Sequence, residues 1–408
     1  MNLKETILNK INAYEHEIIE WRRYLHEYPE LSNEEIKTGE FVQEKLRSFG
    51  IKRVTGNYAG TNGVVADIGK NYGKNVAIRC DIDALPILEK NDAPYKSKCD
   101  GKMHACGHDA HTSIALGIAK ILKEHEELIN GNIRIIFQPC EEIPNYRGAK
   151  YLIDAGVLDN PKIDAIFGLH VHPELQTGKI GSKPGALFAS TDLFKITIIG
   201  KGTHSSQPHK GADPILTAAQ FISSLNHIVS RKIDPLLASV ISVGKIQGGT
   251  AANIIPEQVY MEGTARTLDL KLAKKFPTFI EETLKGICQV YGCEYKLDYL
   301  KGTPPVINED ILYKFSMDIL KEALGKDTVV ELEKPTMGGE DFAEYLLRRP
   351  GVMFRLGIKN ENKGIIYPLH SPYFNIDESS LRLGVFTLLY PALMYLNSTT
   401  SHKIHLRD

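Results

Sequence analysis

Cysteine is sparse in this chain. Six are spread over 408 residues, at positions 80, 99, 106, 140, 288 and 293. That is too scattered for a disulfide framework, so a thiol-reduced, cytoplasmic setting is the expectation. Net charge is nearly absent too, with 49 Lys and Arg against 50 Asp and Glu. A balanced chain offers no basic excess for nucleic acid or for an acidic membrane. No run approaches the roughly eighteen apolar residues of a membrane helix. Residues 1–20 read as a mixed-charge amphipathic helix and not as a signal peptide. Internal repeats and low-complexity tracts are lacking. What is present, 42% hydrophobic and 24% charged residues, suits a globular protein. The length suits two or three domains.

Periodicity divides the chain in three. The first part opens with two helices, the first ended by Pro29 and the second over about 33–49. Short apolar runs at 63–68, 76–79, 132–137 and 163–169 then alternate with helical stretches, including one around 147–154. Such alternation predicts a doubly wound, mostly parallel α/β sheet. From about 186 the grammar changes. Strands at 192–199, 236–243, 259–268 and 294–300, with helices at 214–229 and 271–291, give the order β-α-β-β-α-β of a ferredoxin-like α+β domain. After 303 the first pattern resumes, with helices at 308–324 and 379–396 and strands at 328–332 and 352–356. The reading is a catalytic domain built from 1–185 and 303–408, interrupted by a smaller domain at 186–302.

The stretch 103–111 reads M-H-A-C-G-H-D-A-H. Imidazole, thiolate and carboxylate are transition-metal ligands. Gly107 lets the backbone turn so that Cys106 and His108 reach one point. Helical spacing of Ile114, Ile118, Ile121 and Leu122 follows, with Asp109 or Thr112 as the expected cap. Other donors stand where strands end: Asp81 and Asp83, Glu141 and Glu142, His170, and late in the chain His370. Open α/β sheets place their sites at those ends. Three or four protein ligands leave a divalent ion a position for water. A neighbouring carboxylate that is not a ligand can then carry the proton. Adjacent residues past a strand end point apart, so one glutamate can face metal and the other water.

These motifs resemble those of M20 metallopeptidases. Within that family they are similar to the amidohydrolase branch of hippurate hydrolases, N-acyl-amino-acid deacetylases and auxin-conjugate hydrolases. The likeness runs nearly end to end. It includes R-R-Y-L-H-E-Y-P-E-L-S from Arg22, R-C-D-I-D-A-L-P from Arg79, M-H-A-C-G-H-D-A-H from Met103 and F-Q-P-C-E-E from Phe137. It continues with G-L-H from Gly168, G-K-G-T-H-S-S-Q-P-H-K-G-A-D-P from Gly200, N-I-I-P from Asn253, G-G-E-D-F from Gly338 and L-H-S-P-Y-F-N from Leu369.

The resemblance implies two divalent ions per subunit, zinc or manganese, with cobalt or nickel also acceptable to such a shell. It implies Cys106, His108, Glu142, His170 and His370 as their ligands. Glu141 matches the general base and acid. His204 matches the residue that stabilises the tetrahedral oxyanion, and Asn253 and Arg266 match substrate-contacting positions. Arg266 suits a carboxylate through its planar fork. The inserted domain is implied to act as lid and dimerisation surface, giving a homodimer or a higher homo-oligomer. One departure stands out: where the wider superfamily carries His-x-Asp, this chain reads Asp81-Ile82-Asp83. Cys106 would compensate, and Asp83 would orient a ligand from behind. His104, Asp109 and His111 are left for local hydrogen bonding or capping, and Glu340 and Asp341 for the site wall.

The implied reaction is hydrolysis of the amide of an N-acyl-L-amino acid by water activated by Glu141 at the metals. A dipeptidase or carboxypeptidase, or an N-acetyl-diaminopimelate deacetylase, would use the same machinery. A catalytically silent metal-dependent binding protein is the non-enzymatic alternative.

Overall fold

The computed structural model describes residues 3–143 and 148–398. Two compact units form. The larger takes in Met1–Leu187, Ile307–Lys334 and Asp341–Asp408, and the smaller Phe188–Val306 and Pro335–Glu340. The short return of 335–340 to the smaller unit carries no periodic signal along the chain.

The larger unit is built on an eight-stranded sheet. Its spatial order is Arg53–Tyr58, Gly63–Gly69, Gly131–Gln138, Lys74–Asp81, Ala165–Gln176, Gly351–Lys359, Ile180–Ser182 and Val329–Glu331. Strands 131–138, 74–81, 165–176 and 351–359 pair parallel through the centre. Their runs, such as Ile133, Ile135, Ile136 and Phe137, are buried, as strands covered on both faces require. The flanks bring antiparallel pairings, among them an edge hairpin whose first strand, Arg53–Tyr58, carries no apolar run and was not expected. Parallel pairing sets Asp81 beside Gln138 and Arg79 beside Gly168. The residues that follow the first two strands, 82–83 and 139–142, therefore leave the sheet at one end, level with 169–170 of the neighbouring strand. His170 is not at a strand terminus, because its strand continues to Gln176.

Helices Leu3–Glu27, His108–Glu124 and Leu381–Asn397 pack on one another beside this sheet. Their approach is close: a Cβ on Gly384 would lie 2.4 Å from Ile114 Cδ1. Against the sequence expectation, residues 378–397 are long and apolar enough to span a membrane by length and composition alone. Yet 72% of that stretch is buried inside the unit, so it reads as a core helix. The helix expected around 147–154 is seen as Gly148–Asp154, and Arg147 lies outside the described residues.

The smaller unit has a four-stranded antiparallel sheet in the order Ser239–Gly248, Gln258–Thr267, Asp192–Ile199, Glu294–Leu300. Helices Pro214–His227 and Phe276–Tyr291 complete the β-α-β-β-α-β order. Strand 192–199 alternates buried and half-buried side chains, as one covered face demands. The single helix expected at 271–291 is two, Leu270–Ala273 and Phe276–Tyr291. Pro277, which has no N–H, suits the first turn of the second and cannot continue the first.

Candidate metal centre

Gly107 sets the geometry of the Cys106 loop. It sits at φ +84 as N-cap of helix His108–Glu124, and a Cβ there would lie 2.5 Å from Val171 Cγ2. Neither Asp109 nor Thr112 caps that helix, contrary to expectation. Thr112 donates its hydroxyl to the Asp81 carbonyl at 3.1 Å. Asp109 is buried in a charged knot, its Oδ2 2.8 Å from Arg22 Nε and 2.7 Å from His26 Nδ1. The R-R-Y-L-H motif thus anchors the residue next to His108.

His108 is buried, and its Nδ1–H donates to the Asp83 carbonyl at 2.8 Å. A carbonyl only accepts, so Nδ1 carries a proton. Burial lowers the pKa of the ring, but Asp81 and the Asp83 hydrogen bond outweigh it and raise it, so a metal at Nε2 takes the place of a proton. His170 does the same: Nδ1–H donates to the Val171 carbonyl at 2.8 Å, and Nε2 stands 3.4 Å from Cys106 Sγ. Donor atoms of Cys106, His108 and His170 all lie within 4.8 Å of one another. A second trio, Cys106, Glu142 and His370, meets the same limit and shares the thiol. A third, His108, Glu141 and Glu142, places Glu141 beside both. His370 is brought in by its loop, whose His370 N–H donates to the Ala105 carbonyl at 2.8 Å.

Asp83 ties these pieces together. Its Oδ1 lies 3.2 Å from His108 Nδ1, and its Oδ2 accepts from Ser32 Oγ at 2.6 Å and from the Glu142 N–H at 2.9 Å. Burial alone would raise its pKa, but the His108 hydrogen bond and charge outweigh burial and hold it low. Asp81 faces a different partner. It accepts from His111 Nδ1 at 2.5 Å and Arg79 Nη1 at 2.6 Å, while His111 Nε2 accepts the Val171 N–H at 3.0 Å. Both nitrogens of His111 are therefore spent, although Asp81, His108 and His111 also fall within 4.8 Å. His104 departs from the hydrogen-bonding expectation. It is buried, neither ring nitrogen has a partner among the described residues, and burial lowers its pKa to about 4. Asp341 is a buried brace, held by Arg79 at 2.6 Å, Gln138 at 2.7 Å and the Ala149 N–H at 3.0 Å.

Two buried atoms here have no hydrogen bond among the described residues: His108 Nε2 and Glu142 Oε1, 3.7 Å apart. Buried polar atoms without a hydrogen-bond partner call for an explanation, and a cation held between imidazole and carboxylate supplies one. Burial and the nearby Glu142 push the Cys106 thiol well up, so the protein by itself keeps it protonated. A bound cation reverses that balance. Sulfur, imidazole and carboxylate are a donor set that fits a divalent transition metal.

The remaining candidates are in the smaller unit. His204 is exposed, on a two-residue strand paired with Ile254–Ile255. Its Nδ1 accepts the Ser206 N–H at 3.1 Å, which leaves Nε2–H as the donor of the neutral ring. It lines a cavity of about 930 Å³ with Gly248, Gly249 and Tyr260. Asn253 is exposed, and its carbonyl accepts the Ser205 N–H at 2.9 Å. Arg266 is half-buried on strand Gln258–Thr267, with Nη1 donating to the Met337 carbonyl at 2.9 Å.

A mixed α/β sheet with imidazole, thiol and carboxylate groups converging beyond its parallel strands is the architecture of a metallohydrolase. The chain belongs to peptidase family M20/M25/M40, whose family model matches residues 77–390. It is 40% identical over 398 residues to thermostable carboxypeptidase 1 of Saccharolobus solfataricus, covering 97% of this chain and 100% of that protein. It is also 40% identical over 396 residues to N-acetyl-L-cysteine deacetylase of Bacillus subtilis, covering 97% and 92%. A crystal structure of a dinuclear metal-binding M20 peptidase from Bacillus subtilis superimposes with a TM-score of 0.82 at 35% identity. The match covers 94% of this chain and 99% of that one. The protein is a metal-dependent hydrolase of amide bonds.

Proposed function

We propose that the protein hydrolyses N-acyl-L-amino acids, with Cys106, His108, Glu142, His170 and His370 holding two divalent ions and Glu141 carrying the proton. The observation that supports this most directly is the pair of donor trios sharing Cys106, each within 4.8 Å. A shared thiol with separate partners on either side suits two neighbouring cations, zinc or manganese foremost. When bound, such ions lower the pKa of water and polarise a carbonyl oxygen.

The chain's own residues supply the rest. Glu141 stands among His108 and Glu142 without being needed in either trio. Its carboxylate takes a proton from the attacking water and returns it to the leaving nitrogen. His204, with Nε2–H turned outward, donates to the oxyanion that forms on the former carbonyl. Arg266 offers its fork to the free carboxylate of the amino acid, and Asn253 its side-chain amide. Asp83 holds His108 in the tautomer that a metal needs.

The same carboxylate recognition serves a carboxypeptidase, and the two curated relatives, one named for each activity, are equally similar. A kinetic panel decides between them. Protein loaded with zinc, manganese or cobalt is offered acetyl-, benzoyl- and aminoacyl-amino acids, before and after a chelator. Faster turnover of acyl than of aminoacyl substrates supports the proposal. The reverse ranking makes it a peptidase, and no turnover in any metal form makes it a binding protein.

The smaller unit supports self-association. Its edge strand Ser239–Gly248 exposes Val240 and Ile246, and nearby Leu236 is 90% exposed. An apolar sheet edge with unpaired N–H and C=O groups is a pairing surface. A homodimer through this unit is the assembly proposed.

A further inference from the structure

The peptide just before Glu141 is strained. Cys140 has φ +58, a left-handed conformation rare for any residue but glycine. Such strain persists where the surroundings over-determine it. Here they do. The Cys140 N–H donates to Glu35 Oε1 at 2.9 Å. Its thiol donates to Asn33 Oδ1 at 2.9 Å and accepts the Asn33 N–H at 3.0 Å. Its carbonyl accepts the Gly148 N–H at 3.2 Å.

Glu35 is fully buried, and no cation pairs with it among the described residues. Its second oxygen accepts from Asn62 Nδ2 at 3.1 Å. A buried carboxyl group held only by neutral donors is expensive as a stability device. Its placement relative to Glu141 gives it another use. On the far side of Glu141, the Glu142 N–H is held by the buried carboxylate of Asp83, itself bonded to Ser32. Glu141 is thus the single residue between two backbone N–H groups, each held by a buried carboxyl group tied to the segment 32–35.

We propose that Glu35 is a positioning residue for the general base: by holding the Cys140 peptide in its left-handed turn, it aims the Glu141 side chain. The proposal rests on the reading of Glu141 as the base. What it requires of Glu35 is reach, an oxygen at the Cys140 N–H, and not charge.

Two substitutions separate reach from charge. Glu35→Gln keeps the length and an acceptor oxygen. Glu35→Asp keeps the charge but withdraws the oxygen by one bond, about 1.5 Å. With the metal-loaded enzyme and its fastest amide substrate, Glu35→Asp is expected to lower kcat about 10- to 100-fold. KM, metal content and thermal midpoint should stay close to those of the parent. Glu35→Gln should keep about a third or more of kcat. In a Glu141→Gln background, Glu35→Asp should cause no further loss, because residues acting as one unit are not additive. Should Glu35→Asp not fold, it is made in a Cys140→Gly background, where glycine relieves the strain of the left-handed φ; the same loss of kcat relative to Cys140→Gly is expected, and its absence overturns the inference. Parent-like kcat in Glu35→Asp overturns the inference, as does an equal loss in the Glu141→Gln background. If Glu141→Gln itself stays within about tenfold of the parent, less than a general base supplies, the base assignment falls instead.

Discussion

His108 Nε2 and Glu142 Oε1 face each other across 3.7 Å, both buried and neither hydrogen-bonded among the described residues. Each is oriented from behind by Asp83, which lies against His108 Nδ1 and accepts the Glu142 N–H. A cation bound between them would give a ligand bond to two buried atoms that no hydrogen bond holds among the described residues. Binding to the native state alone should therefore raise stability, by about 2.7 kcal/mol when free metal is 100 times its Kd. Thermal unfolding with zinc or manganese, against chelator, measures this. The shift should vanish in His108→Ala and Glu142→Ala. A parent-like shift in both would place the metal elsewhere.

Glu141→Gln removes the proton carrier but keeps size and shape. The expected outcome is unchanged metal content with kcat lowered about 10²–10⁴-fold. Metal analysis and initial rates on one preparation check it, and activity within tenfold of the parent would sink the assignment.

His204→Ala tests the oxyanion role. The ring is exposed, so the fold should tolerate the change. Loss of one donor to the oxyanion costs about 10²–10³ in kcat. The signature is a fall in kcat with metal content and thermal midpoint unchanged. A change confined to KM would make His204 a binding residue instead.

Asp109→Ala leaves Arg22 buried without its main partner, for both side chains of the pair are fully buried. Breaking such a pair costs about 3–5 kcal/mol. Urea denaturation of metal-free protein should show it. Because Asp109 adjoins His108 at the helix start, metal affinity should weaken in parallel. A loss below 1 kcal/mol would show that the charged knot is not a source of stability.

Leu236→Glu combined with Val240→Lys puts charge on an exposed apolar edge. If that edge joins two copies, light scattering should find a dimer in the parent and a monomer in the variant. Equal masses would exclude this surface.

Much of the architecture was legible because it is written in local periodicity. Strand 132–137 is a continuous apolar run, strand 192–199 alternates, and the βαββαβ order follows from spacing alone. Where local signals were weak or misleading, the reading slipped. Arg53–Tyr58 lacks an apolar run because it lies at a sheet edge, half-exposed. The helix expected from about 33 begins at Ile36, and the side chains just before it are spent elsewhere. Ser32 reaches Asp83, and Glu35 reaches Cys140 and Asn62.

The centre itself divides the same way. Residue types and Gly107 alone determined that Cys106 and His108 share a turn entering a helix, because that geometry is local. Residue chemistry and helix spacing alone do not separate His108 from His111; only the family resemblance does. They are three apart on one helix face, with the same chemistry. The tertiary structure adds hydrogen bonds that differ between them: Asp81 and the Val171 N–H occupy both nitrogens of His111, while the Asp83 carbonyl takes only Nδ1 of His108. Likewise the convergence of Glu142, His170 and His370 on Cys106 depends on parallel strand register and on a loop tied to Ala105. These contacts join residues far apart in the chain, and only the packed sheet brings them together.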